Sequence, residues 1–61
     1  MRTKYKLVKI LFNTGLEIEF QNAVVTPDFR VIYITTSDGK SLIIPIYNVL
    51  YISKEGEIGK E

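Results

Sequence analysis

The sequence predicts an all-β fold of five short antiparallel strands, arranged as a small, strongly bent barrel or as an open sheet. Three observations lead to this prediction. No segment shows helical periodicity over the roughly ten residues that a helix needs. β-branched and aromatic residues instead occur in short runs separated by turn dipeptides. The 61 residues are also too few for two packed sheets of ordinary size.

The chain is near the lower size limit for a protein that folds unaided. A domain of this length buries only about 60% of the surface that its unfolded chain exposes. The sequence has no Cys and no His, which excludes disulfides and the usual zinc sites, and it predicts no cofactor. Close packing and self-association remain as sources of stability. We expect one small β domain over residues 1–53 and a flexible polar tail over residues 54–61.

The first two strands are predicted to form a hairpin around residues 13–15, Asn-Thr-Gly. A three-residue loop with Gly15 in the left-handed conformation fixes the register of this hairpin. The pairs that follow are Phe12–Leu16, Ile10–Ile18 and Val8–Phe20 on a core face, and Leu11–Glu17, Lys9–Glu19 and Leu7–Gln21 on the outer face.

The next segment is expected to bend near residues 21–23 and to turn over residues 26–29, where Pro27 and Asp28 suit the central positions of a type I turn. Residues 30–36 read as a strand, and Asp38-Gly39 predicts a second hairpin with a two-residue loop. The expected pairs are Tyr33–Ile44 and Val31–Ile46 on one face, and Ile34–Ile43 and Ile32–Pro45 on the other. Both faces of this hairpin are apolar, which is typical of strands that water covers on neither side.

Pro45 is expected to end the fourth strand, because proline cannot donate a ladder hydrogen bond. Residues 46–48 then predict a single 3₁₀ turn, and residues 49–53 predict a short fifth strand. Burial on two faces favours a small, strongly bent barrel of the SH3-like type, or an open sheet whose second face meets another chain.

The runs ILFNTGLEIEF and VIYITTSDGKSLIIPIYNVLYI together resemble the Sm-like (Hfq-type) family of small β-barrels. The family also has a strand, an Asn-Gly-type turn, a long bent strand, a second hairpin and a short final strand after a tight turn. The resemblance implies assembly into rings through edge strands and RNA binding, with Tyr47 and Asn48 in the region of the family's RNA-binding motif. Phe20 stands where the family has the glycine that lets the second strand bend.

The net charge of +1 is unevenly distributed. Four of the eight basic residues and none of the seven acidic ones lie within residues 1–9, which gives +4 there and −3 over the rest. Clustered Lys and Arg beside an aromatic ring can follow a phosphate backbone and stack a base. The alternative, which we favour, is a first or edge strand whose lysines deter edge-to-edge aggregation. The candidate nucleic-acid-binding residues are Arg2, Lys4, Tyr5, Lys6 and Lys9.

The sequence predicts no enzyme. Without His or Cys, acid–base chemistry would depend on carboxylates, Lys or Tyr. Glu17 and Glu19 could pair on the second strand, but they are explained as the polar half of an alternating pattern. Asp28 and Asp38 lie in turns, where Asp has a backbone role. The four glycines are scattered rather than gathered into a phosphate-binding loop, and no small-molecule substrate is indicated.

The second hairpin is the candidate interface, since a barrel interior covers one of its faces and something must cover the other. A homo-oligomer in which an edge strand extends a neighbouring sheet is our first choice, and a second protein is another. The alternative is that the tight curl of the chain hides part of this face. Phe29 and Tyr47 are expected surface contacts. The candidate interface residues are Val31, Tyr33, Ile43, Ile44, Ile46 and Tyr47.

These features predict a non-catalytic β-barrel binding or adaptor module that acts through self-association or protein docking. The competing hypothesis is a small regulator that binds RNA or single-stranded DNA through its basic first strand. No segment reaches the roughly 18 apolar residues needed to cross a bilayer, and no cleavage site follows the basic, then apolar, start. With no Cys, we expect a cytoplasmic protein without a membrane partner.

Overall fold

The computed structural model describes residues 2–60. Its elements are β1 (Thr3–Phe12), β2 (Glu17–Pro27), β3 (Val31–Thr35), β4 (Ser41–Pro45), a 3₁₀ turn (Ile46–Asn48) and β5 (Val49–Lys60). The strands form one antiparallel sheet in the order β4-β3-β2-β1-β5. The all-β prediction of five antiparallel strands is therefore confirmed. Over the described residues the sheet is open rather than closed into a barrel, and β4 and β5 are its edges.

The hairpin of β1 and β2 has the register that the sequence predicts. Ile10 faces Ile18, and the pairs on either side follow in the same register. Gly15 has a φ of 92°, a conformation that costs glycine little, and its N–H donates to the carbonyl of Phe12 at 2.9 Å. The three-residue loop therefore sets which side chains of both strands face the core.

The sheet bends along a line that crosses β2, β1 and β5 at Asn22, Lys6 and Gly56. Asn22 (φ 53°) and Gly56 (φ 70°) both have left-handed backbone, and the flanking pairings place each of them beside Lys6. This geometry interrupts the alternation of side chains along β2. Phe20 packs against the core before the bend and Ala23 is buried after it, three positions later. The bend expected near residues 21–23 is thus centred on Asn22.

The connection between the two edge strands shows how strongly the sheet curls. Five strands in a flat sheet would put its edges about 19 Å apart. Yet β4 ends at Pro45 and β5 begins at Val49, and such a short stretch of chain reaches at most about 14 Å. The sheet must therefore wrap so that its edges approach each other, as the prediction of a strongly bent sheet requires.

The hairpin of β3 and β4 differs from its predicted register by one residue. The loop has three residues rather than two, because the Thr36 N–H donates to the Lys40 carbonyl at 2.8 Å and the Gly39 N–H donates to the Thr36 carbonyl at 3.0 Å. Only Gly39 has a positive φ, 90°, whereas a two-residue type I′ loop would need one at Asp38 as well. The Thr36 hydroxyl also donates to the Asp38 carboxylate. These bonds favour the longer loop.

The one-residue shift reverses the orientation of side chains on β4 relative to the prediction. Ile44 faces Ile32 and is buried with it, while Ile43 faces Tyr33 on the outer surface. The predicted pairs Tyr33–Ile44, Val31–Ile46, Ile34–Ile43 and Ile32–Pro45 are therefore wrong. Pro45 does end β4, and the 3₁₀ turn follows it as expected.

Two predicted boundaries also move. Pro27 belongs to β2, and the turn is centred on Phe29 and Arg30, closed by the Asp28 N–H donating to the Val31 carbonyl at 2.9 Å. β5 continues through residues 54–60, which the sequence assigned to a tail beyond a domain ending at residue 53. The polar composition of this segment misled the prediction, because β1 supplies it with backbone partners whatever its side chains are.

The core lies on the concave side of the curled sheet. Its buried side chains come from four strands and include no polar residue among those described. They are Val8, Ile10, Ala23, Val25, Ile32, Ile34 and Ile44, with Tyr5, Phe12, Ile18, Phe20, Val49 and Ile52 packed against them. Each fully buried aliphatic side chain contributes about 1.5–3 kcal/mol, so this small cluster is the main source of stability.

Candidate interaction surface

The outer face of the β3–β4 hairpin presents apolar side chains to solvent. Tyr33 and Ile43 are cross-strand neighbours, and Val31 faces Pro45 one pair away on the same face. Ile43 is 64% exposed and Tyr33 is 39% exposed, while Val31 is half-buried. We call these four residues the outer patch. Three of its members, Val31, Tyr33 and Ile43, were predicted from the sequence. Pro45 was not, because it was expected only to end the fourth strand.

Ile44 does not belong to this surface. It is only 6% exposed and packs in the core, so its assignment to the interface is wrong. The cause is the shift in the β3–β4 register, which exchanges the environments of Ile43 and Ile44.

Ile46 and Tyr47 lie beside the outer patch, on the 3₁₀ turn. Hydrogen bonds fix the backbone of this turn at both ends. The Ile46 N–H donates to the Arg30 carbonyl at 2.9 Å, and the Asn13 side-chain amide donates to the Tyr47 carbonyl at 2.7 Å. The Tyr47 side chain is 76% exposed. Its backbone is therefore held while its ring is presented to solvent.

Phe29 projects from the neighbouring β2–β3 turn and is 90% exposed. Its own N–H donates to the Asp28 carboxylate at 2.6 Å, and the adjacent Arg30 carbonyl binds the 3₁₀ turn. The structure thus brings the turn that carries Phe29 next to the turn that carries Tyr47. The sequence singled out both residues but could not show that their turns adjoin.

The backbone of β4 has hydrogen-bonding groups that face away from the sheet. Thr36–Lys40 and Arg30–Ile46 are bonded pairs, and bonded and non-bonded pairs alternate along an antiparallel ladder. It follows that Leu42 and Ile44 bond to β3, whereas the groups of three β4 residues point to the open edge. These residues are Ser41, Ile43 and Pro45, and proline offers only its carbonyl.

The second open edge, β5, carries exposed apolar residues that the sequence analysis did not assign to an interface: Leu50, Tyr51 and Ile58. This edge also carries Lys54, Glu55 and Glu57. Charges on an edge strand discourage pairing with another chain. The apolar run over residues 49–52 was the available signal for Leu50 and Tyr51, whereas Ile58 lies beyond residue 53, where the strand was expected to end.

The basic first strand does not lie at an edge, because β1 is flanked by β2 and β5. The prediction that its lysines protect an edge is therefore wrong. Lys4 and Lys6 are exposed, as is Arg2, whereas Lys9 is half-buried between Glu19 and Ser53. The basic side chains thus sit within a sheet surface rather than along its border.

Tyr5 is partly buried and packs against the core. The Lys54 ammonium lies 5.6 Å from the centroid of its ring, within cation–π range. Glu57 on β5 is the cross-strand neighbour of Tyr5. The ring is therefore already engaged within the protein and is poorly placed to stack on a base.

The turn at residues 36–40 holds the carboxyl group of Asp38 in a network of hydrogen bonds. The hydrogen bond from the Thr36 hydroxyl, with backbone N–H groups of Asp38 and Lys40, lowers the pKa of Asp38 below its ordinary value despite slight desolvation. The Lys40 ammonium lies 3.9 Å from the same carboxylate at the surface. These contacts stabilise the loop rather than assemble a reactive site.

Within residues 2–60 there is no group of carboxylates arranged to hold a metal ion and no cavity for a small molecule. Glu17 and Glu19 are exposed beside Leu11 and Lys9. Nor does the described part of the chain contain a helix with the length and hydropathy to cross a membrane.

Comparison of the chain with protein-family models, curated proteins and solved structures gives no match. The function proposed below therefore depends on the outer patch and the open β4 edge.

Proposed function

We propose that this protein is a non-catalytic binding module that acts through self-association or by docking on a protein partner. The observation that carries the proposal is the outer patch, an exposed apolar surface that adjoins the open β4 edge. Open edges template pairing with another strand, and apolar side chains beside them add contact area. We further propose the cytoplasm as its compartment, on the grounds of its Cys-free sequence.

The residues around the outer patch favour a protein ligand. Tyr and Phe are enriched at the centres of protein interfaces, where charged residues are depleted. Residues 41–47 carry no charge, and Phe29, Tyr33 and Tyr47 supply aromatic area around them. A bound strand would obtain main-chain hydrogen bonds from β4 and side-chain contacts from these residues.

Concentration-dependent NMR tests the self-association part of this proposal. Amide resonances of β3 and β4 should shift between about 10 μM and 1 mM protein, the range over which weak association is populated. Resonances of the β1–β2 turn serve as the internal control. Shifts confined to β5 or to the β1–β2 turn would contradict the assignment of the outer patch.

A second candidate function is binding of RNA or single-stranded DNA, favoured by the exposed positions of Arg2, Lys4 and Lys6. Such binding should weaken steeply as salt rises from about 50 to 200 mM, because phosphate contacts release counterions. Lys4→Glu should weaken it further, and Lys40→Glu, on a distant exposed loop, is the control. Absence of any nucleic-acid binding at low salt would exclude this function.

A further inference from the structure

We infer that the occupant of the β4 edge is a second copy of this chain. The two β4 strands pair antiparallel about a two-fold axis, with Ile43 opposite Ile43 of the second copy. This inference rests on the proposed function, since it names one partner and one geometry for the same surface.

The backbone pattern of β4 supports a self-complementary edge. Ser41 and Ile43 each direct an N–H and a carbonyl outward, and Pro45 directs a carbonyl. When Ile43 faces its own copy, each Ile43 N–H donates to the opposite Ile43 carbonyl. Each Ser41 N–H then donates to the Pro45 carbonyl across the axis. All outward N–H groups of β4 are thus satisfied, and the missing proline N–H falls where only the Ser41 carbonyl would accept it.

This register also gives the greatest overlap of the two strands. Residues 41–45 lie opposite residues 45–41, so the full length of β4 is paired on both copies. On the outer face, Ile43 contacts its counterpart and extends the outer patch across the axis. On the inner face, Leu42, which is the cross-strand neighbour of Ile34, lies opposite Ile44 of the second copy.

The distribution of charge favours β4 over β5 as the pairing edge. Residues 41–46 are uncharged, so a two-fold pairing brings no like charges together. β5 carries Lys54, Glu55 and Glu57, and charged side chains on edge strands oppose strand addition. Because an isologous contact uses the same edge on both copies, assembly through β4 closes at two chains.

Solution mass of matched lysine variants tests this geometry. Ile43→Lys places two ammonium groups side by side at the axis, and Leu50→Lys introduces the same charge on the β5 edge. The two positions are 64% and 65% exposed, so both variants should fold, which circular dichroism verifies. Sedimentation equilibrium should show a dimer whose dissociation constant rises about a hundredfold or more in Ile43→Lys. It should change less than about threefold in Leu50→Lys.

A cysteine crosslink provides a second, independent measurement. The chain has no Cys, so Ile43→Cys introduces one thiol per copy. Bonded antiparallel pairs have Cα atoms about 5.5 Å apart, within the roughly 4.4–6.8 Å that a disulfide spans. Under mild oxidation at concentrations where the dimer is populated, Ile43→Cys should form a covalent dimer. On a non-reducing gel, Leu50→Cys should migrate largely as the monomer.

The possible results distinguish failure of the two-fold β4 pairing from failure of self-association itself. Loss of the dimer in Ile43→Lys, together with crosslinking at position 43, supports the two-fold β4 pairing. An assembly larger than two chains, or one broken by Leu50→Lys and not by Ile43→Lys, overturns the pairing while self-association stands. A monomer at every concentration up to about 1 mM overturns the pairing and the self-association on which it rests.

Discussion

Gly56 on β5 lies directly against Lys6 on β1. A β-carbon added at Gly56 would be 3.0 Å from the Cβ, Cγ and Cδ atoms of Lys6. This close approach falls on the line where the sheet bends, and Gly56 has a φ of 70° there. At this point of the curl, a side chain on residue 56 would be strained by the backbone conformation and would have to displace the Lys6 side chain.

Gly56→Ala should destabilise the protein by about 1–2 kcal/mol or more, because it combines left-handed strain with a contact on the Lys6 side chain. Gly59→Ala is the matched control on the same strand. Gly59 has no atom within 4 Å of an added β-carbon and no positive φ, so its substitution should not lower stability. Urea unfolding measures both. Equal stability of the two variants would contradict the role of Gly56 in the bend.

Asn22 makes the corresponding backbone turn on β2, with a φ of 53°. Asn22→Val should lower the free energy of unfolding by about 1–2 kcal/mol, since β-branched residues disfavour the left-handed region. Asn22→Gly should leave it within about 0.5 kcal/mol of the native value, because glycine adopts this conformation readily. The difference between the two variants isolates the backbone effect, and equal stabilities would show that Asn22 does not set the bend.

Asp38 should give the β3–β4 loop an acid-sensitive contribution to stability. The Thr36 hydroxyl lowers the pKa of the Asp38 carboxyl in the folded state, so the folded protein binds this proton less readily than the unfolded chain. The contribution is therefore present above the ordinary Asp pKa and is lost as pH falls through the lowered folded value. Thr36→Val removes the hydroxyl and should raise the pKa of Asp38, whereas Thr36→Ser should retain the lower value. NMR titration of the Asp38 side chain measures both, and an unchanged pKa in Thr36→Val would refute the cause given.

Asn13 connects the β1–β2 turn to the 3₁₀ turn through its amide bond to the Tyr47 carbonyl. Asn13→Ala should cost about 0.5–1.5 kcal/mol of stability, the usual value of such a hydrogen bond. It should also speed hydrogen exchange of amides in residues 46–49. Thr14→Ala in the same turn is the control, since the Thr14 hydroxyl accepts a long hydrogen bond from the Leu16 N–H, at 3.5 Å, within its own turn. Identical exchange rates in the two variants would count against a positioning role for Asn13.

The first hairpin was predictable because two signals agree there. Gly15 fixes a three-residue loop, and the alternation of apolar and polar residues along β1 and β2 selects the same register. In the second hairpin the strands are apolar on both faces, so alternation cannot select a register. The loop alone had to decide it, and the bonds from Thr36 to Asp38 and Lys40 favour three residues over two.

The one-residue difference in the β3–β4 register also decides how much of the interaction surface could be predicted. Tyr33 on β3 and Ile43 on β4 were predicted because both strands are apolar on two faces and one face needs covering. Ile44 was included with them because the β3–β4 register, which decides whether Ile43 or Ile44 is buried, was predicted wrongly. The extension of β5 was missed because its partner, β1, is distant in sequence. The resemblance to the Sm-like family stays a prediction. That family has a glycine for its bend at the position of Phe20, whereas the bend in this protein is centred two residues later, at Asn22.

In the proposed function, the outer patch and the open β4 edge bind another protein chain, first of all a second copy. Light scattering at protein concentrations from about 1 mM down to 1 μM tests this most directly. We expect a mass of two chains at the highest concentration that falls to one chain on dilution, and a single-chain mass throughout for Ile43→Lys. A single-chain mass for the native protein at every concentration would contradict the proposed pairing.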